Sequence, residues 1–391
     1  MTNYEIIIVG AGPSGCSAAL MLGMLDKNLA NQTLLVDKAV FPRPKLCAGG
    51  ITLDARALLR QLGVRIEVPS IPIHISKFLL PNGVLTFQQT GQFEIVGRKE
   101  FDHDLFQSAS ERGIQTQDAE AVQMLTPTSD GVIVSTSKNE YRAKIVIGAD
   151  GANSSVRKLL PGSTARLLMM GLEIFVPEGL ISGYGELKNT AIFDFSKAGP
   201  ARPGYFWIFP TLDLASHRMS LGLMQAPFEN QEFSSLSRVF ADWLSDYGID
   251  LRLFDVQGHP AIRYDRKASS SGHRVLLVGD ALGIDPLFGE GITSALATGV
   301  IAAQSAVEAI RKKEFSFSDY KRRIQRSYFG TLMRRRCIVA RKLYRHPGHR
   351  KFRPYDALLN WVAPTDAEEG TSIDWTPDSE AAISPQIQHA L

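Results

Sequence analysis

The order of apolar and polar positions separates three kinds of segment along the chain. EIIIVG (residues 5–10) is short, β-branched and uninterrupted by polar residues, the pattern of a strand buried on both faces of a parallel sheet. It runs into GAGPSGCSAALML (10–22), whose small and apolar residues suit a close-packed helix, and then into a second strand, TLLVDK (33–38). Two further apolar runs end in glycine and aspartate: KIVIGADGANSSVRK (144–158), expected to continue into a Ser-rich helix start, and RVLLVGD (274–280). Between them the pattern changes to alternation. Residues 71–96 alternate apolar and polar around a Pro-Asn-Gly turn and read as a hairpin. RLLMMGLEIFV, NTAIFDFS, GYFWIFP and RMSLGLMQA, within 166–261, read as strands of a mostly antiparallel sheet. The third kind begins near residue 321, where apolar residues recur at helical intervals among basic ones.

Gly10, Gly12 and Gly15 satisfy G-x-G-x-x-G between a strand and a helix, with Pro13 and Ser14 inside the turn. That context serves a tight turn, close backbone approach to a pyrophosphate and packing of helix on strand. The helix N-terminus would hold the diphosphate. Asp37, 22 residues beyond Gly15 and followed by Lys38, stands at the end of the second strand, where a carboxylate accepts hydrogen bonds from an adenosine ribose. The fold class is therefore α/β, α+β overall: a Rossmann-like dinucleotide domain with an inserted antiparallel sheet and a helical C-terminal segment. No second such motif follows a strand, so a second dinucleotide such as NADPH would visit only transiently, or be replaced by a reduced electron carrier.

Composition narrows the setting. A net charge of +3 over 391 residues does not argue for nucleic acid. Three cysteines, Cys16, Cys47 and Cys337, argue for a reducing compartment, with the cytoplasm as default. The N-terminus lacks a basic stretch and cleavage site, and no uninterrupted apolar run has the length of a membrane span. No metal is expected. Lys321 to Pro354 holds thirteen Lys or Arg and no Asp or Glu. A basic amphipathic helix follows, with two readings: a peripheral contact with an anionic membrane or phosphorylated substrate, or a cap packed on the nucleotide domain. From Pro364 the chain is polar and acidic, as a mobile tail would be.

With GADG (148–151) and GD (279–280) in this order, the sequence resembles the flavoprotein superfamily of aromatic hydroxylases, geranylgeranyl reductases and flavin-dependent halogenases. The resemblance implies FAD. It assigns Gly148, Asp150 and Gly151 to the second fingerprint and Gly279 and Asp280 to the third, with Asp280 on the ribityl chain. Pro286, Gly289, Glu290, Gly291 and Ile292 open a helix facing the flavin ring, where a helix dipole steadies negative charge. Arg98, opening the helix of VGRKEFDHDLF, is implied to contact FAD. Two stretches are similar to geranylgeranyl reductases: the loop FPRPKLCAGGIT with Lys45, Cys47, Ala48 and Gly49, and the strand PGYFWIFP with Tyr205, Trp207 and Phe209. Ala48, Asp37 and Thr211 depart from the family's usual glycine, glutamate and lysine.

The resemblance implies reduction of carbon–carbon double bonds in a geranylgeranyl or related isoprenoid chain, by hydride from N5 of reduced FAD. Cys47, Tyr205 and Trp207 are the candidate catalytic residues; Cys47 would shape the cavity or relay a proton, and Tyr205, Trp207 and Phe209 share one strand face. Monooxygenation of an aromatic or hydrophobic substrate, halogenation, and a non-catalytic flavoprotein stand as alternatives. The FAD domain is expected from 1–70, 97–158 and 262–320, the substrate domain from 71–96 and 159–261, the basic helical segment from 321–363, and the tail from 364–391.

Overall fold

The computed structural model describes residues 1–81, 83–161, 168–181, 187–212, 218–228 and 235–345; the tail from 364 and the basic residues beyond 345 lie outside them. Among the described residues the strands form two eight-stranded sheets. In the first, Thr2–Val9 lies between Thr33–Val36 and Glu140–Gly148, parallel to both, with Ile7 opposite Leu34 and Val146. Val275–Leu277 extends the sheet beyond Glu140–Gly148, and Gln115–Gln117 extends it beyond Thr33–Val36. Chain order therefore reverses at Thr2–Val9, the switch point at which the carboxyl ends of parallel strands leave a crevice. Gly10, Asp37, Asp150 and Gly279 all stand at such ends. The apolar strand runs are buried on both faces, as parallel strands require.

The second sheet runs in the order Gln257–Ile262, Leu168–Pro177, Arg218–Gln225, Gly204–Pro210, Thr190–Asp194, Ser70–Leu80, Gly83–Val96 and Gly50–Thr52. It is mostly antiparallel; Thr190–Asp194 runs parallel to Ser70–Leu80. The hairpin read in 71–96 is present with a register shift between Ile73 and Ile75. One face packs under the helix Leu236–Ser245 through Phe206, Trp243 and Leu244, and the other turns toward the first sheet.

One expectation is corrected. The residues after Gly151 form a short 3-10 turn, Val156–Leu159, in place of a helix start, because Pro161 cannot continue a helix. The helix Ile292–Lys312 is long and apolar enough to cross a membrane, although Ser, Thr, Gly and Gln interrupt its apolar run. It is a core helix here, with 89% of its most apolar window buried.

The basic segment forms two helices, Tyr320–Arg326 and Tyr328–Arg345, separated by an extended Ser327 whose hydroxyl accepts from Gly330 N–H at 3.1 Å. Phe329 and Met333 join the core of the first sheet, and Ala340, Leu343 and Tyr344 join that of the second. The packed-cap reading thus describes the inner face. Arg322, Arg326, Arg334, Arg341 and Lys342 lie on the exposed face.

The helix Pro13–Leu25 packs against Ile292–Lys312 across a seam of small residues. A Cβ at Gly299 would stand 2.5 Å from the carbonyl oxygen of Ser14 and 2.9 Å from Ala18 N. Gly299→Val is expected to force the helices apart, lowering stability by about 1–3 kcal/mol in denaturant unfolding. Val300→Ala, which only removes buried volume, would leave the seam closed and the cofactor retained.

Candidate functional site

Both sheets face a cavity of about 780 Å³, and most residues singled out in the sequence line it. At one end is the glycine turn. Gly10 has φ +102°, and a Cβ there would overlap the carbonyl of Ala149, so the strand ends approach too closely for any side chain. Gly15 abuts the carbonyl of Gly10 and does not line the cavity; it seats the helix on the turn. Gly12 differs, since the nearest protein atom to a Cβ would be Arg43 Nη2 at 3.7 Å. The protein tolerates a side chain at residue 12, but that side chain would stand in the cavity beside Pro13 and Ser14. The helix starting at Pro13 has no side-chain cap, which leaves its first amides available to an anion. Asp37 accepts from Ala11 N–H at 2.7 Å and Ala39 N–H at 2.8 Å, and lies with Lys38 at the rim. Asp150 uses one oxygen for Ser155 N–H at 2.6 Å, while Oδ1 is buried and has no hydrogen-bond partner. Gly151 also lines the cavity.

The third fingerprint sits on the 3-10 turn Gly279–Ala281, with Gly279 N–H donating to Thr298 Oγ1 at 2.9 Å. Gly279 is behind the cavity wall, against Ser14, and Asp280 faces the cavity. A Cβ on Gly291 would be 3.6 Å from Asp280 Oδ1, so this carboxylate stands at the start of the helix Ile292–Lys312. Gly289, Glu290, Gly291 and Ile292 line the cavity, whereas Pro286 is buried behind it. Glu290 Oε1 accepts from Thr293 N–H at 2.7 Å; Oε2, 3.6 Å from Arg336 Nη1, has no hydrogen bond. Burial pushes Glu290 up to about 7, against the pull of Arg336. Arg336, the third arginine of the basic run, is itself buried and pairs with Asp285 at 3.0 Å.

Along the flank runs the loop of residues 41–50. Its Gly49 has φ +77° and packs against the Val96 carbonyl, and Gly49 N–H donates to Cys47 Sγ at 3.4 Å. Cys47 is exposed and lines the cavity, with Ala48 packed on the core of the second sheet. Arg98 is clamped by Asp102 through two 2.8 Å bonds and lies near enough to Cys47 to interact with it electrostatically. Burial opposes the charge of Arg98, but Asp102 and Cys47 outweigh it and raise the pKa. Asp102 also holds Arg43 at 3.0 Å. Lys45 Nζ lies 2.8 Å from His259 Nε2. Burial lowers both, and with Lys45 beside it His259 falls to about 4, so the imidazole is neutral at pH 7 and accepts from the lysine.

The second sheet supplies the opposite wall. Tyr205, Trp207 and Phe209 all line the cavity from one strand face. Tyr205 stacks on Phe195 with ring centroids 5.0 Å apart, and its hydroxyl donates to the Phe288 carbonyl at 2.6 Å. Burial drives its pKa far above the ordinary range, so the phenol ties the sheet to the 286–291 loop. Trp207 lies across Gly222, where a Cβ would enter the indole, and its Nε1–H donates to Ser220 Oγ at 3.0 Å. Ser220 in turn donates to Glu173 Oε1 at 2.5 Å.

Sequence reading missed His259, Glu173 and Arg43, and gave Asp102 and Arg336 no role of their own in the site. Asp102 and Arg336 had signals: the first is spaced i+4 from Arg98, and the second falls on the buried phase set by Met333 and Ala340. His259 and Glu173 carry none, because only cross-strand pairing brings them to the cavity.

The orphaned carboxylate oxygens, the uncapped helix start and the side-chain-free space over Gly12 fit a bound dinucleotide. Gly12→Ala is expected to leave the unfolding temperature of the apoprotein nearly unchanged while sharply reducing co-purified FAD. Gly10→Ala should lower both. Equal FAD content in wild type and Gly12→Ala would contradict this placement.

Residues 3–300 match the family described as FAD binding domain. The chain is 28% identical over 339 residues to digeranylgeranylglycerophospholipid reductase 2 of Methanosphaera stadtmanae, covering 82% of each chain. It is similar in fold to a geranylgeranyl bacteriochlorophyll reductase-like protein from Thermoplasma acidophilum, with a TM-score of 0.71, 19% identity and coverage of 93% of this chain and 92% of that one. It is also similar in fold to the halogenase PltM, with a TM-score of 0.66, 18% identity and coverage of 87% and 76%. The chain belongs to the FAD-binding domain family and is an FAD-dependent oxidoreductase similar to the geranylgeranyl reductases.

Proposed function

We propose that the protein reduces carbon–carbon double bonds of a geranylgeranyl or related isoprenoid chain carried by a lipid. The observation that carries this reading is the continuity of the cavity: the glycine turn, Asp280 and Glu290 at the cofactor side open onto a wall of Tyr205, Trp207, Phe209, Phe193, Met169 and Met224. FAD, when bound and reduced, supplies the hydride. The aromatic wall excludes water and holds the chain flat against the cofactor side, where Gly222 lets Trp207 lie across the sheet. The named activity of the Methanosphaera relative supports the same substrate class. We assign Cys47 to shaping the cavity mouth, since its thiol is already engaged by Gly49 N–H and faces Arg98. NADPH or a reduced carrier protein is the proposed donor, and the exposed arginines of the C-terminal helices are proposed to meet an anionic lipid surface from the cytoplasmic side.

The test is anaerobic. Dithionite-reduced protein mixed with a geranylgeranyl lipid should be reoxidised with formation of the saturated chain. Failure with every prenyl compound, together with NADPH and oxygen consumption stimulated by an aromatic compound, would place the protein with the monooxygenases instead. In the same assay Cys47→Ala and Cys47→Ser should retain FAD and lose less than about tenfold in rate, whereas removal of a proton donor costs about 100-fold or more.

A further inference from the structure

Glu173 is a carboxyl group in an apolar place. It is 2% exposed on the strand Leu168–Pro177, on the wall that also carries Trp207. Its strand neighbours are Gly222 on one side and Gln257 on the other. Trp207, Gly222 and Glu173 thus form one row across three strands, with Ser220 bridging the indole to the carboxyl. Among the described residues no cation pairs with it. On the adjoining strand His259 stands opposite Gly171, two residues from Glu173, and its neutral imidazole accepts from Lys45. Burial raises the pKa of such a carboxyl, because the one hydrogen bond from Ser220 only partly replaces the hydration that the anion would lose.

We propose that Glu173 is the acid that delivers the proton in double-bond reduction, with Ser220 and Trp207 as the positioning residues that aim it; this rests on the proposed reductase function. The step balances. One alkene carbon receives the hydride supplied by reduced FAD, while the O–H bond of Glu173 breaks and its proton forms the C–H bond at the other carbon as the π bond is consumed. The carboxylate left behind takes a proton from water. Burial holds the group up to about 7, so it is protonated where an ordinary glutamate is charged, and is a stronger acid than a thiol of pKa about 8.5.

A purely structural Glu173 is distinguished by its amide. Glu173→Gln keeps the oxygen that accepts from Ser220 and removes the acidic proton. Single-turnover reduction of a geranylgeranyl lipid should fall at least about 100-fold in this variant, with FAD content and dithionite reduction unchanged. The wild-type rate should be full below pH 7 and decline as pH rises through about 7, and the variant should lose that decline. Infrared titration of the FAD-loaded protein gives a second readout. Glu173 and Glu290 are both held up to about 7, so the protonated-carboxyl band titrating near pH 7 should have two components, of which Glu173→Gln loses one and Glu290→Gln loses the other. Wild-type rate and pH dependence in Glu173→Gln, or persistence of all of the band, overturns the role of Glu173. A wild-type protein that reduces no prenyl compound overturns the functional reading itself, whatever the band does.

Discussion

The site depends on how closely two helices approach. Pro13–Leu25 and Ile292–Lys312 are nearly 270 residues apart in sequence, yet Ser17 Oγ donates to the Leu296 carbonyl at 2.6 Å and Gly299 lies on the backbone of Ser14. Such contact requires small residues on both sides, and Ser14, Ser17, Ala18, Ala295 and Gly299 supply them. Closing the seam brings the first turns of both helices to one cavity. One start provides free amides for phosphate, and the other presents Asp280, Glu290 and Gly291. A bulkier seam would separate the two ends of a single ligand site.

The second sheet is held to that frame by specific ties. Tyr205 donates to Phe288, Tyr344 donates to Leu287 at 2.7 Å, and Arg336 joins Asp285 and approaches Glu290. All three act on the loop that precedes the helix Ile292–Lys312. The C-terminal helix therefore stabilises the cofactor side of the cavity from behind, and part of its basic run is used inside the protein. An arginine buried between two carboxylates offsets their mutual repulsion and keeps the loop compact.

Local pattern was enough for the elements whose neighbours are close in sequence. EIIIVG with its glycine turn, the 71–96 hairpin and the Tyr205–Trp207–Phe209 face could be read because period and turn chemistry are local properties. Arg98 was legible as a helix opener, but its bidentate partner Asp102 turned it toward the protein as well as the cavity. Cys47 lines the cavity, and its bond from Gly49 N–H follows from turn geometry that the sequence does not spell out. Glu173 and His259 were illegible, because a strand residue's opposite number is set by sheet register across long sequence separations. The helix Ile292–Lys312 breaks its apolar run at Thr293, Ser294, Thr298, Gly299 and Gln304, and of these Gly299 lies in the seam.

One continuous cavity is proposed to hold both FAD and an isoprenoid chain. A crystal structure of the FAD-loaded protein with a geranylgeranyl lipid is the decisive measurement. Cofactor density is expected along Gly12–Ser14 and Asp280–Ile292, with prenyl density in the same cavity against Tyr205 and Trp207. Prenyl density outside that cavity, or cofactor density away from those residues, would contradict the proposal.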